Sequence, residues 1–158
     1  MAGIRKKFIF LIVCTLAAVS IVFKAQADDE AVLREVMPLG VFFEPVKSDG
    51  QTIYYRALDA QKQLIGACFK AYGKGYSSTI ETMVGMLKNG QVTAIKVLSQ
   101  KETPGLGGRV AEQQFTGQFV DQQDLSRVQA VTHASISSRA VINSVSEKKA
   151  QVEKLLNR

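Results

Sequence analysis

The pattern of apolar and polar positions changes period several times along the 158-residue chain. It opens with an unbroken apolar run, Phe8 to Phe23, that holds no charge and no Gly or Pro. As a helix this run would be roughly 24 Å long, short of the ~30 Å hydrocarbon core of a bilayer unless Lys7 and Lys24 snorkel or the bilayer thins. DDEAVLREVM follows, with acids at a helix start and Val32, Leu33, Val36 and Met37 at helical spacing, so a short helix is predicted that stops at Pro38 and Gly40. From Val41 the pattern turns to extended segments. VFFEPV, an Asp49-Gly50 turn and TIYYRAL read as a pair of strands, Leu64 to Tyr72 as a third, and Gly73 to Ser77 as a loop. STIETMVGML and VTAIKVLSQ flank Asn89-Gly90, the strongest hairpin signal in the chain. In the second of these, Val92, Ala94 and Lys96 alternate with Thr93, Ile95 and Val97, which calls for a sheet with at least one buried face.

Beyond Gln100, KETPGLGG is too rich in Pro and Gly for a regular element. Arg109 to Gln118 is predicted as a mixed helix and Asp121 to Asp124 as a loop. The helical period returns in SRAVINSVSEKKAQVEKLL, with Val141, Ile142, Val145, Val152 and Leu156 on one face and Ser137 or Ser138 as the predicted cap. The expected fold class is α+β, an antiparallel sheet packed with helices behind a single N-terminal transmembrane helix. The predicted division is residues 1–27 as membrane anchor and 28–158 as an exported domain. A cleaved signal peptide ending at Ala25-Gln26-Ala27 is the alternative for the first segment. Either way Arg5, Lys6 and Lys7 stay on the cytoplasmic side, so the domain is expected outside, periplasmic where the cell has two membranes.

Charge and cysteine content narrow the field. The formal net charge is +6, but four of the 20 cations are Arg5, Lys6, Lys7 and Lys24, leaving 16 against 14 acids in the exported part. No basic stripe interleaved with aromatics is present, and no nucleic-acid partner is expected. Cys14 falls in the apolar run and Cys68 in the domain, so the two cannot pair, and Cys68 reads as a small buried apolar residue. His133 is the single histidine, which removes multi-histidine metal sites and any triad with a recognisable spacing. It reads as a solvent-facing loop residue. PGLGG lacks the Lys-Ser/Thr ending of a Walker loop.

Two features remain, ETPGLG at Glu102 to Gly107 and THASIS at Thr132 to Ser137. GYSSTIETMVGMLKNGQVTAIKVLSQKETPGLGGRV and ASISSRAVINSV resemble the FMN-binding domain of the G subunit of the Rnf ion-translocating electron-transfer complex, and more distantly the C subunit of the sodium-pumping NADH:quinone reductase. The resemblance implies FMN moved by a flavin transferase onto a hydroxyl of the motif Ser/Thr-Gly-Ala-Ser/Thr-x-Ser/Thr. On this chain the motif is Thr132, His133, Ala134, Ser135, Ile136 and Ser137, with Ser137 as the implied acceptor of a phosphoester and Ser138 beside it. A phosphate there would sit at a helix N-terminus, where an anion is favoured. Glu102, Thr103, Pro104, Gly105, Leu106 and Gly107 are implied as the loop that meets the flavin ring, with Gly105 and Gly107 allowing close backbone approach.

The implied role is an electron-carrying subunit of an Rnf-type complex in the inner (cytoplasmic) membrane, single-pass, with other membrane subunits and the flavin transferase as partners. It is a carrier rather than a stand-alone enzyme, and no catalytic or metal residue is implied. The chain departs from the family pattern at His133, where Gly serves a positive φ or a close approach, at Gln129, usually Asp, and at Ser137, often Thr. Those departures keep open a second reading, a membrane-anchored interaction subunit with the same fold and a flavin-free site. A third is a secreted FMN carrier released after Ala27.

Overall fold

The computed structural model describes residues 29–157, so the predicted anchor and Cys14 lie outside the described residues. Among the described residues no helix is long and apolar enough to cross a membrane. From Val32 onward the chain packs as one compact unit.

The predicted short helix is present as α1, residues 29–36. Five strands follow, β1 (Phe42–Ser48), β2 (Gln51–Leu58), β3 (Leu64–Lys74), β4 (Thr79–Leu87) and β5 (Val92–Ser99). They form one antiparallel meander in the order β1-β2-β3-β4-β5. Both predicted turns are where the residue types place them. Asp49 and Gly50 both have positive φ, 51° and 79°, as a primed hairpin turn requires. Gly90 has φ 82° and donates its N–H to the Leu87 carbonyl at 2.9 Å.

After β5 comes the predicted mixed segment. It is a 3₁₀ turn at Gly107–Ala111, the short helix α2 at Gln113–Thr116, and a second 3₁₀ turn at Gly117–Phe119. A further turn at Leu125–Arg127 precedes the long terminal helix α3, Ser135–Leu156.

The sheet is covered on both faces. On one, Phe69, Ile80, Val84, Met86 and Val92 pack under Val141, Val145 and Val152 of α3 and under Phe115 and Phe119. The two phenylalanine rings meet edge to face at 5.4 Å. On the other face, Leu33 and Val36 of α1, with Met37, cover Ala57, Cys68 and Met83. The Thr93 hydroxyl donates to the Val36 carbonyl and Lys96 pairs with Glu35, so β5 is tied to the end of α1. Double coverage explains why β3 and β4 read as near-continuous apolar runs rather than clean alternation. Cys68 is fully buried and its thiol is pushed up to about 12 by desolvation, which keeps it unreactive.

One predicted boundary is corrected. Gly73 does not open a loop; it pairs with Ile80 inside the sheet, and β3 runs on to Lys74 opposite Thr79. Its missing side chain serves packing, because a Cβ there would run into the backbone carbonyl of Ala140 on α3. Gly73→Ala is therefore expected to lift α3 off β3 and destabilise the domain by about 1–3 kcal/mol, measured by urea unfolding.

Candidate functional site

Three segments distant in sequence converge on one carboxylate. Glu102, first residue of the ETPGLG stretch, is only 6% exposed. Its Oε1 accepts the backbone N–H of Ser77 at 3.0 Å and of Ser78 at 2.8 Å, and the Ser78 hydroxyl at 3.2 Å. Its Oε2 accepts the Tyr76 N–H at 3.1 Å and the Ser137 hydroxyl at 2.6 Å. The turn between β3 and β4 thus supplies three consecutive N–H donors, a concave nest for an anion, and the chain fills it with its own carboxylate.

Burial alone would raise the pKa of Glu102. The Ser137 hydroxyl and the N–H groups of Ser77, Ser78 and Tyr76 outweigh it and hold the carboxyl below the ordinary 4.5. Small residues make room for this approach. A Cβ on Gly75 would lie 2.7 Å from Glu102 Oε1, and one on Gly107 would lie 2.7 Å from Ser137 Oγ and 2.8 Å from Glu102 Oε2.

The Gly-rich loop splits into an outer and an inner part. Thr103, Pro104, Gly105 and Leu106 are exposed, while Glu102 and Gly107 are buried. Leu106 N–H donates to the Thr103 carbonyl at 3.1 Å, closing a turn with Pro104 at its second position and Gly105, φ 74°, at its third. That is the residue order of a type II turn. Gly107 accordingly faces Glu102 and Ser137, and the side of the loop open to a ligand is Thr103 to Leu106.

The THASIS segment is laid out differently from the expectation. α3 begins at Ser135, one turn earlier than a serine cap at 137 or 138 allows, and its N-cap is Ala134, with no side-chain hydrogen bond. Neither Ser137 nor Ser138 caps the helix, because both hydroxyls turn inward. Ser137 is 1% exposed with its hydroxyl on Glu102, and Ser138, fully buried, accepts the Val131 N–H at 3.1 Å. Glu102 supplies the negative charge near the N-terminus that a capping side chain would otherwise bring.

Val131 to Ala134 form a turn closed by Ala134 N–H to the Val131 carbonyl at 3.0 Å, with His133 at φ 66°. This is the third position of the turn, where glycine is at ease and histidine is tolerated at some cost. His133 is exposed, as expected, and so are Thr132, Ser135 and Ile136. In this turn and the first turn of α3, the implied acceptor Ser137 is the enclosed hydroxyl and Ser135 the open one.

Three large apolar side chains carried by these segments are exposed. Tyr76 is 76% exposed, Ile136 56% and Leu106 46%. Tyr76 donates its N–H to Glu102, Ile136 precedes Ser137, and Leu106 precedes Gly107, where an added Cβ would meet the Glu102 carboxylate. Sequence reasoning missed Tyr76, which looked like a loop residue before β4, and Gln118, whose carboxamide bonds the backbone of Gln129. Neither carries a local sequence signal. Among the described residues, no cluster of His, Cys, Asp and Glu is arranged to hold a metal ion.

Comparison with known proteins bears on the same region. Residues 75–148, a little under half of the chain, match the model of the FMN-binding domain. The segment runs from the β3–β4 turn through the Gly-rich loop and into α3. The G subunit of the ion-translocating oxidoreductase complex of Methanosarcina acetivorans is 29% identical over 138 residues, spanning 77% of this chain and 73% of that protein. The G subunit of the proton-translocating ferredoxin:NAD(+) oxidoreductase complex of Clostridium ljungdahlii is 33% identical over 117 residues, spanning 67% of this chain and 63% of that protein. Among solved structures, NqrC of Shewanella oneidensis superposes with a TM-score of 0.54 at 16% identity, covering 75% of this chain and 73% of that one. This last likeness is one of fold.

Proposed function

We propose, from the match of residues 75–148 to the model of the FMN-binding domain, that this chain is the electron-carrying subunit of a membrane ion-translocating oxidoreductase complex of the Rnf type, holding FMN through a phosphoester. The names of its relatives, the G subunits of ion-translocating complexes, support the assembly. Residues 1–27 act as its membrane anchor and the rest lies on the periplasmic or extracellular side. Its partners are the other membrane subunits and the flavin transferase that loads it.

One observation carries the cofactor reading: an exposed hydroxyl, Ser135, on the first residue of a 22-residue helix that has no side-chain cap. A phosphate attached there gains the positive end of the helix dipole. The side chain before it, Ala134, is small. Tyr76, Leu106 and Ile136 offer exposed apolar surface of the kind a flat aromatic ring covers. Ser135 is the better acceptor of the two serines in the motif, since Ser137 reaches solvent only by giving up Glu102. FMN, when bound, supplies the reversible electron transfer; the chain holds its phosphate and presents its ring.

The test is ultraviolet fluorescence of the denatured full-length chain on a gel after co-expression with a flavin transferase. A fluorescent band is expected. A dark band from protein that was folded before denaturation overturns the covalent reading and leaves either the flavin-free interaction subunit or a chain that holds FMN without a covalent bond.

A further inference from the structure

We propose that Gln118 is a positioning residue that holds the acceptor segment ready for modification, an inference that rests on the covalent reading above. Gln118 lies in the 3₁₀ turn Gly117–Phe119, packed into the domain by its buried neighbour Phe119. Its carboxamide works in both directions on a single residue. Oε1 accepts the Gln129 N–H at 2.9 Å, and Nε2 donates to the Gln129 carbonyl at 3.3 Å and to the Gln114 carbonyl at 3.4 Å. The amide thus imitates a neighbouring strand for one residue of irregular chain, satisfying both backbone groups of Gln129 where no sheet or helix does.

Its position in the segment gives that contact its purpose. From residue 129 into α3 the segment is tied by its backbone at three points, Gln129 to Gln118, Val131 N–H to Ser138 Oγ and Ala134 N–H to the Val131 carbonyl, and by one enclosed side chain, Ser137 Oγ to Glu102. Gln118 is the first of these ties. Gln129, Ala130, Thr132, His133, Ser135 and Ile136 nevertheless keep their side chains exposed. Holding a loop by its backbone while its side chains face outward presents it, already ordered, to another protein. A transferase that meets the ordered loop is spared the entropy of ordering it.

The experiment is the transferase reaction on folded full-length chain, followed by covalent flavin fluorescence against acceptor concentration. Wild type is compared with Gln118→Met, which keeps the length and removes all three carboxamide bonds, and with Val152→Ala, a core change remote in sequence from the loop. Losing the two neutral hydrogen bonds to Gln129 is expected to raise the KM for the acceptor chain by roughly 5- to 30-fold in Gln118→Met, with kcat within about twofold. Val152→Ala is expected to lower the melting temperature at least as much and leave KM unchanged.

An unchanged KM in Gln118→Met overturns the proposal. So does an equal rise in both variants, which would make the effect one of general stability. A wild-type chain that takes no flavin at all overturns the covalent reading itself, and the role of Gln118 falls with it.

Discussion

Ser135→Ala is expected to abolish covalent flavin altogether, giving a dark band on a denaturing gel where wild type fluoresces, while the protein stays folded. The side chain removed is exposed at the first residue of α3, and the helix has no side-chain cap to lose there. Ser137→Ala should behave in the opposite way. Its hydroxyl is enclosed and donates to Glu102 at 2.6 Å, so the variant keeps its flavin and loses about 1.5–3 kcal/mol of stability, the value of a hydrogen bond to a charged group. Peptide mapping by mass spectrometry identifies the modified serine independently. A dark Ser137→Ala and a bright Ser135→Ala would mean that the first turn of α3 unwinds during transfer and delivers the inner hydroxyl.

The two serines also show where the sequence stops being informative. Their spacing of two on a helix puts them about 200° apart, so one must face outward when the other faces in. Which is which depends on where the helix starts, and that depends on Glu102, 35 residues away from Ser137. A reading that lets Ser137 cap the helix makes it the outward hydroxyl; starting the helix at Ser135 reverses the choice. The sheet was far easier to read. Asp49-Gly50 and Asn89-Gly90 are local signals that name their own turn geometry, and both predicted hairpins formed. Gly73 misled because a glycine required by the close approach of α3 looks, in a single sequence, like one required by a bend. His133 was legible in a different way: the expected positive φ is there, at 66°, carried by a side chain that adopts it at a modest conformational cost. Gln118 left no trace at all, since a glutamine within EQQFTGQ has no periodicity or motif to distinguish it.

Glu102→Gln is expected to be the most destabilising polar change in the domain, and its effect should depend on pH. The carboxylate is the common acceptor for three N–H groups and two hydroxyls. A carboxamide of the same shape keeps one acceptor oxygen and turns an NH₂ group against the remaining donors. The donors are only partly buried apart from Ser137, so water can satisfy some of them, but the loss of several bonds to one charged acceptor makes a total of about 2–4 kcal/mol the expected cost near pH 7. For a domain of this size that corresponds to a fall of roughly 10–20 °C in melting temperature. Because the carboxyl is held below its ordinary value of 4.5 in the folded state, the ionised form favours folding at every pH above 4.5. That contribution fades as the pH falls through the depressed native pKa, when wild type too must protonate the group. Unfolding curves at about pH 7 and about pH 3 should therefore show a wide gap between wild type and Glu102→Gln that narrows in acid. A gap independent of pH would mean that the shape of the side chain holds the three segments together and its charge does not. The same variant separates two roles at the flavin site. If Glu102 acts by fixing the first turn of α3, Ser135 loses its orientation and flavin attachment slows even at temperatures where the protein remains folded.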